Sequence, residues 1–517
     1  MRLINPEAEP ASLVRDAASG GVPVEEKPRT LPPAEARAIF VGLMLSVFLS
    51  ALNQTIVATA LPTMGRVFND IENLSWIVTA YLLTSTAVAP LYGKLSDIHG
   101  RRTVMLASIA IFAFGSAVCA MAPDMLALIL GRALQGIGGG GILPVAQAIM
   151  ADAITPRERG RYQAYMAIVF VSAGLGGPIL GGLLAEHVHW SLIFWINLPL
   201  AAGAAMMTWT RLRKLPRHER RHRLDMLGAV LMMAATVPLL LALTWGGARF
   251  PWLSAPILGL AAASAVLAAA LAWWLTRAPE PFLPLAVMTE PVMYTGTAAN
   301  SFAMGASIGL VIFVPLYYEL VHHLSASDSG LALVPLALTT PGSILSGRAM
   351  LYLRHYKRVP MAGLAVGIAG LALLIWQPAL PLWSVIVIMS LIGIALGTVF
   401  PVCTVSIQNA VPNHQVGVAM GAMNFFRALA SAFLVAIMGA ILLAGLGVTV
   451  GRGSADVFSA DPAAGLADSG VDVALVFRWV FVAAEAFLTA SLAMLTLMEE
   501  RPLRGADPGT GKRAAGM

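Results

Sequence analysis

Charge is scarce in this chain: only 12% of its 517 residues are Asp, Glu, Lys or Arg, roughly half the share of an average soluble domain. With 58% hydrophobic residues and a mean hydropathy of +0.77, a soluble globular fold is excluded. Cysteine is almost missing, and Cys119 and Cys403 both fall inside apolar segments. No disulfide framework or thiolate metal cluster can be built from them, and the redox compartment goes unread. No GxxxxGK[ST] loop is present, which excludes a P-loop ATPase. No apolar run carries a His/Asp/Glu cluster at metal spacing or a nucleophile beside a base, so neither a cofactor nor a metal is expected, and an enzyme acting on lipid has no support. Residues 1–37, rich in Pro, Ala and charge and including Glu25, Glu26 and Lys27, lack the short apolar core of a cleaved signal and read as a disordered cytosolic tail.

What the chain has instead is long apolar runs. About 20 such residues span a bilayer as a helix, because a helix satisfies its own backbone without water. These runs are too long for the roughly 10-residue alternating strands of a membrane barrel. Fourteen helices are predicted, at residues 38–62, 74–94, 104–122, 126–150, 162–184, 191–211, 225–245, 253–275, 293–320, 329–350, 360–379, 383–407, 417–446 and 472–497. The fold class is therefore an all-α integral membrane protein. The net charge of +6 and pI near 9.5 mark topology rather than a nucleic-acid partner. Clusters at Lys94/Arg101/Arg102, Arg157/Arg159/Arg161, Arg211 to Arg223 and Arg354/Lys357/Arg358 share one side, while the other holds chiefly Arg66, Arg249 and Arg452. Basic residues stay in the cytoplasm, which places both termini there.

Hydrophilic connections divide the chain further. A basic one, RLRKLPRHERRHRLD at 211–225, follows the sixth helix, and a proline-rich one, RAPEPFLPL at 277–285, follows the eighth. The expected organisation is a six-helix bundle at 38–211, an inserted helix pair at 212–292, a second six-helix bundle at 293–497, and a cytosolic tail at 498–517. The loop at 447–471 is small and polar and reads as a flexible tether.

Three segments carry chemistry. GKLSDIHGRR, residues 93–102, reads as a short loop whose Asp97, Arg101 and Arg102 can bind neighbouring helices through charge-assisted hydrogen bonds that break when the bundle rocks, with Gly93 admitting close approach. A plain basic loop with an incidental Asp97 is the alternative. GRALQGIGGGGILP, residues 131–144, puts Arg132 roughly 9 Å below the outer surface. A cation there either faces a cavity or partner, with Gln135 and Gly136 on its face, or snorkels to the headgroups. SAGLGGPILGGLL, residues 172–184, packs tightly through glycine and bends at Pro178.

At these residues the sequence resembles the major facilitator superfamily, and in particular its fourteen-helix drug:proton antiporter branch of multidrug efflux proteins. HWSLIFWINLP at 189–199 and LNQTIVATALP at 52–62 resemble further elements of that branch. The resemblance implies two pseudo-symmetric six-helix halves worked by alternating access, with helices seven and eight inserted. It implies a latch at Gly93, Asp97, Arg101 and Arg102 that stabilises the outward-facing state, a proton-linked cation at Arg132, and an antiporter hinge at Gly177, Pro178, Gly181 and Gly182.

One position departs from that pattern. Asn53 stands where the branch commonly has an aspartate, and an amide does not titrate. Asn53 lies roughly 13 Å from Pro62, near the depth of Arg132, so Asn53, with Gln54 beside it, is expected to recognise substrate or to pair with Arg132. Remaining candidates for substrate or coupling are Gln135, Arg427 in NFFRALASAF and Glu485 in FVAAEAFLTA. Arg427 offers a cation to an anionic group or bonds to helix carbonyls, while Glu485 either couples protons or holds a neighbouring helix. Glu319 reads as an interfacial anchor. The expected function is proton-coupled export of small amphipathic organic compounds, drug or toxic metabolite efflux of the kind that gives antibiotic resistance, from a multi-pass position in the cell inner (cytoplasmic) membrane. The alternative is an exporter or uniporter of an anionic metabolite or siderophore without coupling at the first helix. Partners are the substrate, protons and the bilayer, with other envelope efflux components left open.

Overall fold

The computed structural model describes residues 33–70, 73–214, 224–247, 249–446 and 472–503. Fourteen helices are long and apolar enough to cross a membrane. We number them α1 (Pro33–Phe68), α2 (Leu74–His99), α3 (Arg101–Ala120), α4 (Met125–Ala153), α5 (Pro156–His187), α6 (Asn197–Arg211, led by a turn at Leu192–Trp195), α7 (Met226–Trp245), α8 (Ala255–Leu275), α9 (Pro291–His322), α10 (Thr339–Tyr352), α11 (Arg358–Trp376), α12 (Leu382–Ala410), α13 (Val416–Gly445) and α14 (Val473–Leu497). Of the basic connection, residues 215–223 lie outside the described residues, as do the tether at 447–471, residues 504–517 of the second tail and residues 1–32 of the first.

Four expectations need correction. The first tail was expected to run to residue 37, but α1 starts at Pro33, because proline suits the first helical position and Ala, Glu and Arg follow it. The same helix continues through Pro62 to Phe68, since one missing N–H does not outweigh the packing on either side. GKLSDIHGRR is helix rather than loop: α2 extends to His99 and α3 begins at Arg101, and only Gly100 lies outside a helix, at φ +86°. That left-handed value makes a one-residue connection feasible for glycine and strained for other residues. The tenth span is broken, with a helix at Ala326–Ala332, a tighter 3₁₀ turn at Val334–Ala337 and then α10. Pro335 cannot donate to the carbonyl one turn earlier.

Helices α1 to α6 pack among themselves, chiefly α3 on α4, α2 on α4 and α1 on α5. Helices α9 to α14 form a second group, with α9 against α13 and α14 and α12 against α10 and α11. The two groups meet along α2/α13 and α5/α10, and α7, packed on α8, touches both α2 and α13. Beyond α14 the chain stays bonded. Lys357 Nζ donates to Met498 O at 2.7 Å, Glu500 accepts from Lys357 N at 3.0 Å, Asn409 Nδ2 donates to Pro502 O at 3.1 Å, and Arg501 pairs with Glu290 at 2.6 Å. Arg501 also donates to Glu499 at 2.8 Å and holds that carboxyl below the usual carboxylate range.

Candidate functional site

Two polar constellations stand out in the apolar bundle. The first joins α1, α3, α4 and α6. Asn53 Oδ1 accepts from Gln135 Nε2 at 3.0 Å and from Asn197 Nδ2 at 3.2 Å, and Gln135 Nε2 also reaches Ser116 Oγ at 2.6 Å. On the other side of Gln135, its Oε1 accepts from Arg132 Nη1 at 2.5 Å. Arg132 Nε donates to the Ile77 carbonyl at 2.8 Å, and the guanidinium lies 4.5 Å from the Tyr81 ring centroid. Arg132 is 1% exposed and Asn53, Gln135 and Asn197 are wholly buried. A cation taken out of water needs partners, and here they are a carbonyl, an amide oxygen and an aromatic face.

This settles the orientation of Arg132, which points inward rather than to the headgroups. The expected pairing of Asn53 with Arg132 is indirect, because Gln135 stands between them and spends both ends of its amide on the link. Gln54 is exposed, turned about 100° around α1 from Asn53 and outside this network, so the two neighbouring amides do not act as a pair. Asn197 and Ser116 were not anticipated. Asn197 sits in WINLP, a segment carrying a polar residue in an apolar run, and that signal was available in the sequence. The network keeps one donor, Asn53 Nδ2, and one acceptor, Asn197 Oδ1, buried without partners.

The second constellation lies where α2 meets α13, at the end of the bundle that carries the basic clusters. Asp97 Oδ1 accepts from Gly417 N at 3.1 Å and Oδ2 from Val418 N at 2.8 Å. These are orphan N–H groups in the first turn of α13, whose own preceding residue, Gln415, makes no capping bond. Asp97 therefore caps from across the interface a helix of the other group, its negative charge facing the positive end of the helix dipole. Arg101 clamps the carboxylate, donating to Asp97, and ties it to α4 through Asp152 Oδ2 at 2.9 Å. It also reaches Asn413 O at 3.4 Å. Asp152, four residues short of α5 in the sequence, is a member that sequence reasoning missed.

Not every expected latch residue is in it. Arg102 stacks on Trp209 of α6, 4.2 Å from the ring centroid, and leaves Nε and Nη2 unbonded, because the next residue on a helix points 100° away. Gly93 does belong: a Cβ there would stand 2.3 Å from Gly417 O. Gly93→Val is therefore expected to separate α2 from α13 and to lower transport at least tenfold with normal membrane insertion, measured as initial flux per inserted protein. Around the seam, Gln408 Nε2 donates to Gln147 O at 3.1 Å and Asn424 Nδ2 to Gln147 Oε1 at 2.6 Å.

The fifth-helix glycines divide. Gly177 and Gly181 abut α1, where added Cβ atoms would lie 2.0 Å from Thr55 Oγ1 and 2.3 Å from Ile56 O, whereas Gly182 has nothing within 4 Å and Pro178 is exposed. Arg427 joins neither constellation. It is half-buried, 5.3 Å from the Phe400 ring centroid. Glu485, in the middle of α14, is half-buried and makes no hydrogen bond with a described residue. No group of three or more His, Cys, Asp or Glu suited to a metal occurs among the described residues.

A fourteen-helix membrane bundle with polar constellations inside its packed cores and across the seam between them defines the class: an all-helical, multi-pass membrane protein. The chain belongs to the Major Facilitator Superfamily, which it matches over residues 43–435. It is 34% identical over 423 residues to an uncharacterized MFS-type transporter of Mycobacterium tuberculosis (strain ATCC 25618 / H37Rv), covering 80% of this chain and 60% of that relative's length. The chain thus spans about 60% of that protein. It is 32% identical over 411 residues to the multidrug transporter protein MdtP of Bacillus subtilis (strain 168), covering 78% of this chain and 75% of MdtP. Among solved structures, the human organic anion transporter MFSD10 superposes with a TM-score of 0.60 at 17% identity, covering 91% of this chain and all of that one, a likeness of fold.

Proposed function

We propose that the chain is a secondary active exporter. It moves small amphipathic organic compounds out of the cell in exchange for protons, by alternating access between halves at 38–211 and 293–497 that flank the inserted pair at 212–292. The basic end is cytoplasmic in this reading, both termini lie there, and the membrane is the inner (cytoplasmic) one. The observation that carries it is the seam at that end, where Asp97 holds one helix group to the first turn of α13 and Arg101 to the turn before it, through bonds that a rocking motion can break. The relative named as a multidrug transporter supports the substrate class.

Proton coupling does not run through a carboxylate at Asn53. Among the described residues Glu485 is the acid farthest from a helix end, and it takes the coupling role in this reading. Proteoliposomes with an imposed pH gradient test the proposal: efflux of an amphipathic dye should rise several-fold with the gradient, and flux indifferent to it sinks the coupling. Asn53→Asp keeps the two amide donors on Oδ1 but leaves its second oxygen without a donor in a wholly buried site, so it should cost stability while ionised. Its transport should acquire a new pH-dependent step, read from rate against pH; superimposable profiles would remove Asn53 from the transport path.

Arg427 favours a second reading. A half-buried guanidinium against Phe400, with no carboxylate beside it among the described residues, suits export of compounds bearing an anionic group. Competition of dye efflux by carboxylated against cationic compounds separates the two.

A further inference from the structure

Helices α5 and α10 touch where Gly160 meets Gly347; a Cβ on Gly347 would stand 2.5 Å from Gly160 O. Around that contact lies a cleft of about 370 Å³ walled by Arg161, Tyr165 and Ile168 of α5 and Ile344, Arg348 and Leu351 of α10. Its direction follows from helix periodicity. At 100° per residue, Arg161, Tyr165 and Ile168 project opposite to Arg159, Gln163 and Met166, and those three are the buried side of α5. Ile344, Arg348 and Leu351 are likewise turned away, by roughly 130° on average, from the buried Ser343, Ser346 and Met350 of α10. The cleft therefore opens away from the interior of the bundle, toward the bilayer.

The two cations sit at one level. Arg161 is five residues inside the start of α5 and Arg348 four residues from the end of α10, which places both roughly 6–8 Å from the basic end of their helices. Both are exposed, and neither pairs with a described carboxylate. Beyond them, toward the membrane centre, the walls are the apolar Ile168 and Ile344.

We infer that this cleft binds an anionic phospholipid of the leaflet at the basic end, its phosphate between Arg161 and Arg348 and an acyl chain along Ile168 and Ile344. Guanidinium groups present paired donors that match phosphate oxygens, and their charge selects a net-negative headgroup over a zwitterionic one. Arg161 belongs to one helix group and Arg348 to the other, so a single headgroup bridges them only while α5 and α10 are in contact. The lipid is thus a tie on the arrangement closed at this end.

Native mass spectrometry of the full chain released from equimolar phosphatidylglycerol and phosphatidylcholine tests this. Phosphatidylglycerol should be retained about 10- to 30-fold over phosphatidylcholine. The R161A/R348A variant, whose altered side chains are exposed, should lose that preference while remaining monodisperse, and R161K/R348K should keep part of it. Equal retention of both lipids, or an unchanged preference in R161A/R348A, overturns the site. Displacement of phosphatidylglycerol by millimolar inorganic phosphate overturns the lipid assignment in favour of a free-phosphate site.

Discussion

Asp97→Asn should open the basic end of the protein. The native carboxylate takes bonds from Gly417 N, Val418 N and Arg101 at once, and hydrogen bonds to a charged group contribute about 1.5–3 kcal/mol each. An amide of the same shape keeps one acceptor oxygen, turns a donor toward the N–H groups of α13 and removes the charge that faces the helix dipole. Weakening by about 2 kcal/mol shifts a two-state equilibrium roughly 30-fold. Spin labels at Thr155→Cys and Asn413→Cys, on connections belonging to different helix groups, would report it. Both native cysteines are buried, so background labelling is low. The native chain should give a single short distance and the variant a dominant longer one, with transport reduced at least tenfold. An unshifted distance distribution would show that this end is held without Asp97, by packing around Gly93 and the remaining bonds of Arg101 and Gln147 across the seam.

The second large effect concerns Gln135. Gln135→Leu preserves volume approximately but removes the one side-chain oxygen among the described residues that Arg132 donates to and one of the two donors on Asn53. Losing a hydrogen bond to a buried charge costs about 1.5–3 kcal/mol. The expected result is a variant that inserts but unfolds at clearly lower denaturant concentration and does not transport. A double-mutant cycle with Asn53→Ala separates network from packing. Coupling of at least about 1 kcal/mol is expected for residues sharing a hydrogen bond, whereas additive losses would assign the whole effect to the stranded Arg132. Arg132→Lys, with Gln135 intact, should restore charge but not the Ile77 and Tyr81 contacts, because an ammonium lacks the planar fork.

The helix count was legible because membrane spans announce themselves by length and apolarity. Their interruptions were less so. Pro62 and Pro335 look alike in the sequence, yet the first lies within an unbroken helix and the second breaks one. The difference rests on what packs around each, which a single sequence does not display. In the site, Arg132 and Gln135 were legible from i, i+3 spacing on one helix. Asn53 was placed at the right depth but one residue out of direct reach. Asp152 and Asn197 were missed because their partners are 51 and 144 residues away, and periodicity speaks only of neighbours along one helix. Arg102 was assigned to the latch by adjacency in sequence, though a helix turns adjacent residues to different neighbours.

The residues just beyond α14 are bonded to the connection before α11 and the end of α12, and Arg501 reaches Glu290 immediately ahead of α9. The second helix group is thereby closed head to tail, its last segment buckled to its first. In the proposed rocking cycle these ties favour movement of the second group as one piece over the loss of single helices from it. The same buckle makes the residues before 503 a poor place to attach a reporter, and any fusion is better joined well beyond them.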